Sequence, residues 1–542
     1  MVTGLNKKIL SSILCVILLL IPINEFCLAY NNMYPNVISG ATLDISLNFT
    51  QTNGIIKPFS EINSGPLSNP NTRNGADLID QYQQIGISYV RASCFIGPAD
   101  INTIFPDWNA DPNLESSYDF IISDKYITGI IEAGCKVFYR LGDSIYPDKN
   151  LLMTPPKNMS KWAEVCKHIA MHYNDGWNEG YHYNITYWEV WNEPNLFWED
   201  TGTGTADEYY QLYNSTVRAL KGHNSSLKVG GPAIYTITTR ADKNWTEGFL
   251  DYLDNNDLPL DFFSWHHYPY DPYEIYADSQ VLLGLLNKYG FTDCENIISE
   301  WDYKPGVPQR DKDNAKNAAF DACCMTMFQD VGVDYAYRFR GTPGGEPHWF
   351  LCLTGHDHSL FSKDGKFKTP ALSYLAMHYV TRDTPIRLTT PVMDAFSGIT
   401  YLAGISEDNT NVSILISNYN ASDTSYNLEV TDLPWNAPYT VVHYLIDDKH
   451  HLEIYKEENA SGSSYYATQI LKKNTVHFIR LTNTSFIPNE GPPTARIPLI
   501  LRLKIFDPFL LALDLVANML LFGNFGNTIN NLIKILYNLF NF

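Results

Sequence analysis

The chain has 542 residues, more than one ordinary core accommodates and enough for a barrel with a smaller companion domain. A hydrophobic share of 45% and an aromatic share of 14% fit a folded globular protein and exclude broad disorder. The net charge of −21 speaks against a nucleic acid or an anionic membrane surface as partner, because a polyanion repels both.

The first residues predict export. Lys7 and Lys8 precede an apolar run from Ile9 to Pro22, and Cys27 and Ala29 put small residues at −3 and −1 of a cleavage point before Tyr30. A signal peptide over 1–29 implies a secreted or cell-surface protein. Sequons at Asn48, Asn158, Asn184, Asn214, Asn224, Asn244, Asn411, Asn420, Asn459 and Asn483 agree with that. Cys94, Cys135, Cys166, Cys294, Cys323, Cys324 and Cys352 show no CxxC spacing and no Cys/His cluster. They read as buried thiols with one or two bridges, and no zinc site is expected.

From residue 30 to 384 short apolar runs alternate with helix-length periodic stretches. Strands are predicted at Leu43–Leu47, Ile87–Ala92, Lys136–Leu141, Tyr187–Trp191, Leu227–Gly231, Asp261–Trp265, Asn296–Ser299 and Val333–Phe339. Helices are predicted around 75–86, 122–134, 158–174, 206–222, 245–255, 278–289, 311–330 and 369–381. Eight such alternations make a (β/α)8 TIM barrel, and no Gly-rich phosphate loop follows any strand. Over 385–486 the pattern changes to short alternating strands separated by Asn, Asp, Ser and Gly, as in a small β-sandwich. Residues 487–542 read as a Pro-rich linker and a hydrophobic tail. Its longest apolar run, Phe509 to Phe522, is interrupted by Asp514 and Asn518. That falls short of a clean spanning helix, so association with a membrane or cell surface, or helices packed on a partner or on the enzyme itself, are the two readings of the tail.

The chemistry centres on Tyr187-Trp188-Glu189-Val190-Trp191-Asn192-Glu193-Pro194-Asn195. A β-rich run ending in Asn-Glu-Pro puts Glu193 at the C-terminal mouth of the fourth strand, where barrel active sites are built. Glycoside cleavage needs a carboxylic acid that stays protonated near neutral pH, and burial among Trp188, Trp191, Phe197 and Trp198 raises a carboxyl pKa. Asn192 beside it is able to donate to a sugar 2-hydroxyl. Glu189, four residues earlier, reads as structural. A retaining mechanism needs a second carboxylate roughly 5–5.5 Å away. Asn296-Ile297-Ile298-Ser299-Glu300-Trp301 supplies it: a strand, seventh in order, ending in Glu300. Trp301 is taken as a substrate-binding ring next to it.

These motifs, with Ser264-Trp265-His266-His267-Tyr268-Pro269 between them, resemble glycoside hydrolase family 39, a retaining (β/α)8 family that includes β-xylosidases and α-L-iduronidases. The likeness extends to Ile56-Lys57-Pro58-Phe59, Asn63-Ser64-Gly65-Pro66, Val90-Arg91, Phe105-Pro106-Asp107-Trp108 and Phe138-Tyr139-Arg140-Leu141-Gly142, so it runs from about 40 to 380. It implies Glu193 as general acid/base, Glu300 as nucleophile, and Asn192 as the 2-hydroxyl ligand. It also implies His266 and Tyr268 as lining of the subsite for the sugar that is released, with the Tyr268 hydroxyl holding the nucleophile ionised. Arg91 is expected to brace the two carboxylates. The family often continues with His-Asp after Val-Arg, where Ala92-Ser93 stand here, so this part of the sugar pocket differs. Arg338 in Tyr337-Arg338-Phe339-Arg340 stands where a floor tryptophan is expected. It pairs either with a substrate carboxylate, favouring an acidic sugar, or with a carboxylate of the protein.

His266 and His267 point to opposite faces of one strand and cannot share an ion. His356 and His358 lack a third ligand and read as an exposed polar loop. No metal and no cofactor are expected. The partner is an oligo- or polysaccharide or another glycoside. Two other readings stand beside this one: a non-catalytic carbohydrate-binding surface protein on a degenerate barrel, and an endo-acting polysaccharidase.

Overall fold

The computed structural model describes residues 42–67, 76–93, 97–144, 151–200, 202–304, 307–343, 357–392 and 398–483. The expected signal peptide and the tail beyond residue 483 lie outside these. Among the described residues no helix is long and apolar enough to cross a membrane.

Eight parallel strands close into a barrel, each paired with the next in chain order and the last with the first. They are β3 (Ile62–Asn63), β4 (Tyr89–Ala92), β5 (Lys136–Leu141), β6 (Tyr187–Val190), β7 (Lys228–Ile234), β8 (Phe262–His267), β9 (Glu295–Trp301) and β10 (Tyr335–Arg338). Helices follow the strands, among them Ile121–Glu132, Met159–Asp175, Ala206–His223, Arg240–Asn255, Pro272–Lys288 and Ala315–Met327. Several begin on a side-chain cap: Asn158, Thr205, Thr239 and Asp271 each accept a hydrogen bond from the first turn.

The barrel interior is layered. Near its N-terminal end Tyr89, Phe138, Tyr187, Phe262, Ile297, Tyr335 and Tyr337 pack into an aromatic plug. Side chains two residues apart share a face, so the next inward positions above Tyr89 and Tyr187 are Arg91 and Glu189. There the filling turns polar, and the site sits above it.

The predicted first strand, Leu43–Leu47, does form, but outside the barrel. β1 (Thr42–Asn48) joins a three-stranded sheet with β14 (Thr424–Thr431) and β17 (Tyr465–Leu471). β2 (Thr52–Ile55) edges a seven-stranded sheet with β11 (Ile386–Leu388), β12 (Ile399–Ile405), β13 (Asn411–Asn418), β15 (Tyr439–Ile446), β16 (His451–Ala460) and β18 (Thr475–Thr482). The stave that opens the barrel is the two-residue β3. Residues 42–55, counted above with the barrel, therefore belong to the smaller domain, whose two sheets share an apolar core of Leu47, Tyr426, Leu428, Ile414, Ile416, Ile479 and Leu481. This is consistent with a β-sandwich. Alternation along β13 buries its other face too: Leu415 packs into the barrel's core, and Ser417 donates to Ala319 O at 2.7 Å.

Candidate active site

The backbone turns sharply where β6 ends. Trp191 and Glu193 both occupy the left-handed region, with φ of 72° and 48°. For residues with a side chain each such conformation costs on the order of 1 kcal/mol, and strain of this kind gathers at functional sites. Hydrogen bonds hold it: Trp191 N donates to Leu141 O at 2.7 Å and Glu193 N to Ala233 O at 2.8 Å. Asn195 ties the turn outward, donating to Asp242 at 3.1 Å while accepting from Tyr235 N at 3.0 Å. The result is a carboxyl aimed into the mouth and only 7% exposed.

Arg91 is the hub beneath it. Fully buried, its guanidinium donates to Glu189 Oε2 at 2.6 Å, Glu300 Oε1 at 2.6 Å, Asn192 Oδ1 at 2.8 Å and Asn63 Oδ1 at 3.1 Å. Burial disfavours its charge, but the two carboxylates reverse that and hold its pKa above the ordinary value. With its carbonyl oxygen engaged by Arg91, Asn192 keeps its NH2 as the group able to donate to a ligand. Glu300 receives a second hydrogen bond, from Tyr268 Oη to Oε2 at 2.5 Å. Burial and the facing Glu300 push the Tyr268 hydroxyl well above its usual pKa, so it stays a donor.

Glu193 has different company. His266, completely buried, places Nδ1 2.7 Å from Glu193 Oε1 and 3.6 Å from Glu300 Oε2. Burial lowers the His266 pKa to about 4, so the imidazole is neutral at pH 7. Burial first, and then the charge of Glu300, raise Glu193 above an ordinary glutamate, against the opposing pull of His266 and Arg91. Glu300 thus sits among donors and a fixed cation, whereas burial and the facing Glu300 carboxylate favour a proton on Glu193. Glu193, His266 and Glu300 each offer an atom within 4.8 Å of the others, close enough to chelate an ion. A cation there would have to sit beside the Arg91 guanidinium, which already compensates Glu300.

Glu193, Glu300, Asn192, His266, Tyr268 and Arg91 are therefore brought together; Trp301 and Arg338 are not. One residue beyond Glu300 on the same strand, Trp301 faces the helices and meets Phe320 and Phe328 at 6.3 and 5.2 Å. Arg338 follows the inward Tyr337 and also points outward, to Asp302 at 3.0 Å and Asp321 at 2.9 Å. It pairs with carboxylates of the protein, which removes the reason to expect an acidic sugar. His358, expected on an exposed loop, is 4% exposed and lies 2.6 Å from Asp302; His356 lies outside the described residues. The cysteines among the described residues, Cys135, Cys166, Cys294, Cys323 and Cys324, form no disulfide with one another.

His267 points away from the pocket, 3.1 Å from Asp278 and 3.7 Å from Glu274. Burial disfavours its cation, yet the two carboxylates prevail and lift its pKa from 6.5 to about 9. The folded state thus keeps a proton that the unfolded chain releases, so this contribution to stability is complete below about pH 6.5 and is lost as pH rises through about 9. By calorimetry in matched buffers, wild-type melting temperature is expected to fall more steeply between about pH 7 and 9 than that of His267→Asn.

The sequence alone does not mark Asn63 as a site residue. Its amide donates to Ser299 O at 2.8 Å and Tyr337 O at 3.1 Å while its carbonyl accepts from Arg91, so it fastens three staves around Glu300. The only signal is a polar residue after a single apolar one, in a strand too brief to register.

Residues 52–337 match the family model for glycosyl hydrolases family 39. The chain belongs to this family. Within family 39 vocabulary, the site above occupies the C-terminal mouth of the barrel. A β-xylosidase of Caldicellulosiruptor saccharolyticus is 33% identical over 204 residues, 35% of this chain and 38% of that one. A β-xylosidase of Geobacillus stearothermophilus is 29% identical over 289 residues, 47% and 54% of the two chains. The chain thus spans about half the length, or less, of these relatives. The crystal structure of a glucosidase from Croceicoccus marinus is similar with a TM-score of 0.72 at 27% identity, covering 82% of this chain and all of that one. A monomeric β-xylosidase from Caulobacter crescentus shares the fold at 18% identity, with a TM-score of 0.61 over 82% of this chain and 99% of its own.

Proposed function

We propose that this family 39 protein is a retaining glycosidase acting on β-linked pyranosides of the xyloside type. The observation that carries the reading is the pair itself: oxygens of Glu193 and Glu300 within 4.8 Å, with Glu300 held by Arg91 and Tyr268 and the Glu193 pKa raised by burial. That spacing suits roughly the 5–5.5 Å of retaining enzymes and leaves no room for the water that an inverting pair encloses at roughly 6.5–9.5 Å.

In the first step a Glu300 oxygen attacks the anomeric carbon. The bond to the leaving oxygen breaks as Glu193 hands that oxygen its proton. In the second step the Glu193 carboxylate takes a proton from water, whose oxygen attacks the same carbon and displaces Glu300. Arg91 and Tyr268 hold the attacking carboxylate, and neutral His266 partners Glu193 in both of its protonation states. The names of the relatives favour a xyloside or glucoside, the sequence of residues 1–29 supports secretion, and the ten sequons support glycosylation. The tail over 487–542 supports attachment at a cell surface.

A panel of nitrophenyl β-xyloside, β-glucoside, α-arabinoside and an iduronide analogue tests the substrate class. Glu193→Ala tests the mechanism. It is expected to lose roughly 10²–10⁴-fold in kcat on a glycoside with a poor leaving group. On a dinitrophenyl glycoside, whose leaving group needs no proton, a burst of dinitrophenolate should precede a slow steady state. Equal losses on both substrates, with no burst, would remove Glu193 from the acid role.

A further inference from the structure

Tyr419 lies one residue past β13, in the smaller domain, yet its hydroxyl reaches the barrel mouth. It donates to the backbone carbonyl of Tyr270 at 2.5 Å, two residues beyond Tyr268. Its ring is 5% exposed and stands edge-on to Phe320 at 5.3 Å and Tyr303 at 6.2 Å. Its own backbone is fixed by Tyr419 N donating to Gly398 O at 2.7 Å. The neighbouring carbonyl in the same loop, Pro269 O, accepts from Lys304 N at 3.1 Å, on the continuation of the strand that carries Glu300. The loop leaving Tyr268 is therefore clamped from two sides, by the Glu300 strand and by the second domain.

We infer that Tyr419 is a positioning residue: it fixes Pro269 and Tyr270 so that the Tyr268 hydroxyl stays on Glu300, which makes the smaller domain part of the active site. The inference rests on the assignment of Glu300 as nucleophile. Its physical basis is the sensitivity of the site to small displacements, where a shift of about 1 Å costs on the order of a hundredfold in rate. A buried hydrogen bond from a rigid, ring-packed tyrosine suppresses such shifts.

Tyr419→Phe removes the hydroxyl and keeps the packing. With an aryl β-glycoside, kcat is expected to fall roughly three- to tenfold at unchanged KM, the size of one neutral hydrogen bond. Tyr268→Phe, which removes a bond to a charged group, should lose roughly 10–100-fold. The double variant should be no slower than Tyr268→Phe alone, because Tyr419 acts only through Tyr268. Multiplying losses in the double variant, or wild-type kcat in Tyr419→Phe, overturns the inference. Phe320→Leu loosens the same ring cluster without touching the Tyr270 carbonyl and is expected to keep wild-type kcat. A loss matching that of Tyr419→Phe would mean packing alone is at work and likewise overturns it. Failure of the clamp leaves an active wild-type enzyme; failure of the glycosidase reading leaves an inert one, and the clamp falls with it.

Discussion

Glu300→Ala is expected to lower kcat on an aryl glycoside by about 10⁴–10⁶-fold, since it removes the carboxylate assigned to form the covalent intermediate. The space vacated is bounded by Arg91, whose Nη1 lies 2.6 Å from the carboxylate it would lose. A small anion such as azide would find a cation there and a path to the same face of the anomeric carbon. Added azide should therefore restore turnover, and the product should be a glycosyl azide of configuration opposite to the substrate, read from the anomeric proton coupling in NMR. Glu193 remains to protonate the leaving group, so rescue should extend beyond the most activated substrates. A rescued product that retains the substrate's configuration would place the nucleophile elsewhere.

Arg91→Met should harm both stability and rate. The side chain is completely buried and stands between Glu189, also inaccessible, and Glu300. Removing one partner of a buried ion pair leaves charge uncompensated, typically at 3–5 kcal/mol, or about that here. The denaturant midpoint should fall accordingly, and kcat should drop by at least roughly a hundredfold, because Asn63, Asn192 and Glu300 lose their common donor. Arg91→Lys should not rescue the rate: an ammonium has no planar fork with which to serve four acceptors. Wild-type kinetics in either variant would make Arg91 a bystander.

How much of this was legible in the sequence differs from residue to residue. Glu193 and Glu300 were found because each ends an apolar strand with a carboxylate, a placement that packing alone does not favour. Strand counting puts them on the fourth and seventh staves, as the structure does, although Leu43–Leu47 is not the first stave. Leu43–Leu47 has the stronger strand pattern, with Ile45 and Leu47 buried, while the true first stave, Ile62–Asn63, is two residues long and half polar. Alternation of that strength belongs to a sheet with one wet face, and β1 is in such a sheet. Trp301 does not line the pocket, and the parity rule that separates His266 from His267 separates it equally well from Glu300. Arg338 yields to the same rule once Tyr337 is known to point inward, which depends on the aromatic plug and so on the whole barrel. Tyr419 left no trace, because its partner is a backbone carbonyl 149 residues away in the chain.

The pairing of β1 with β14 has a consequence for biosynthesis. Thr42 meets Ser425 across 383 residues. On a ribosome, the first strand to emerge waits for nearly the whole polypeptide before its neighbour exists, with Ile45 and Leu47 in need of cover meanwhile. The eight staves can be completed earlier, so assembly is expected to finish at the seam between the two ends of the molecule. A nascent chain stalled near residue 390 would then present a lone apolar strand, a natural client for a holding chaperone.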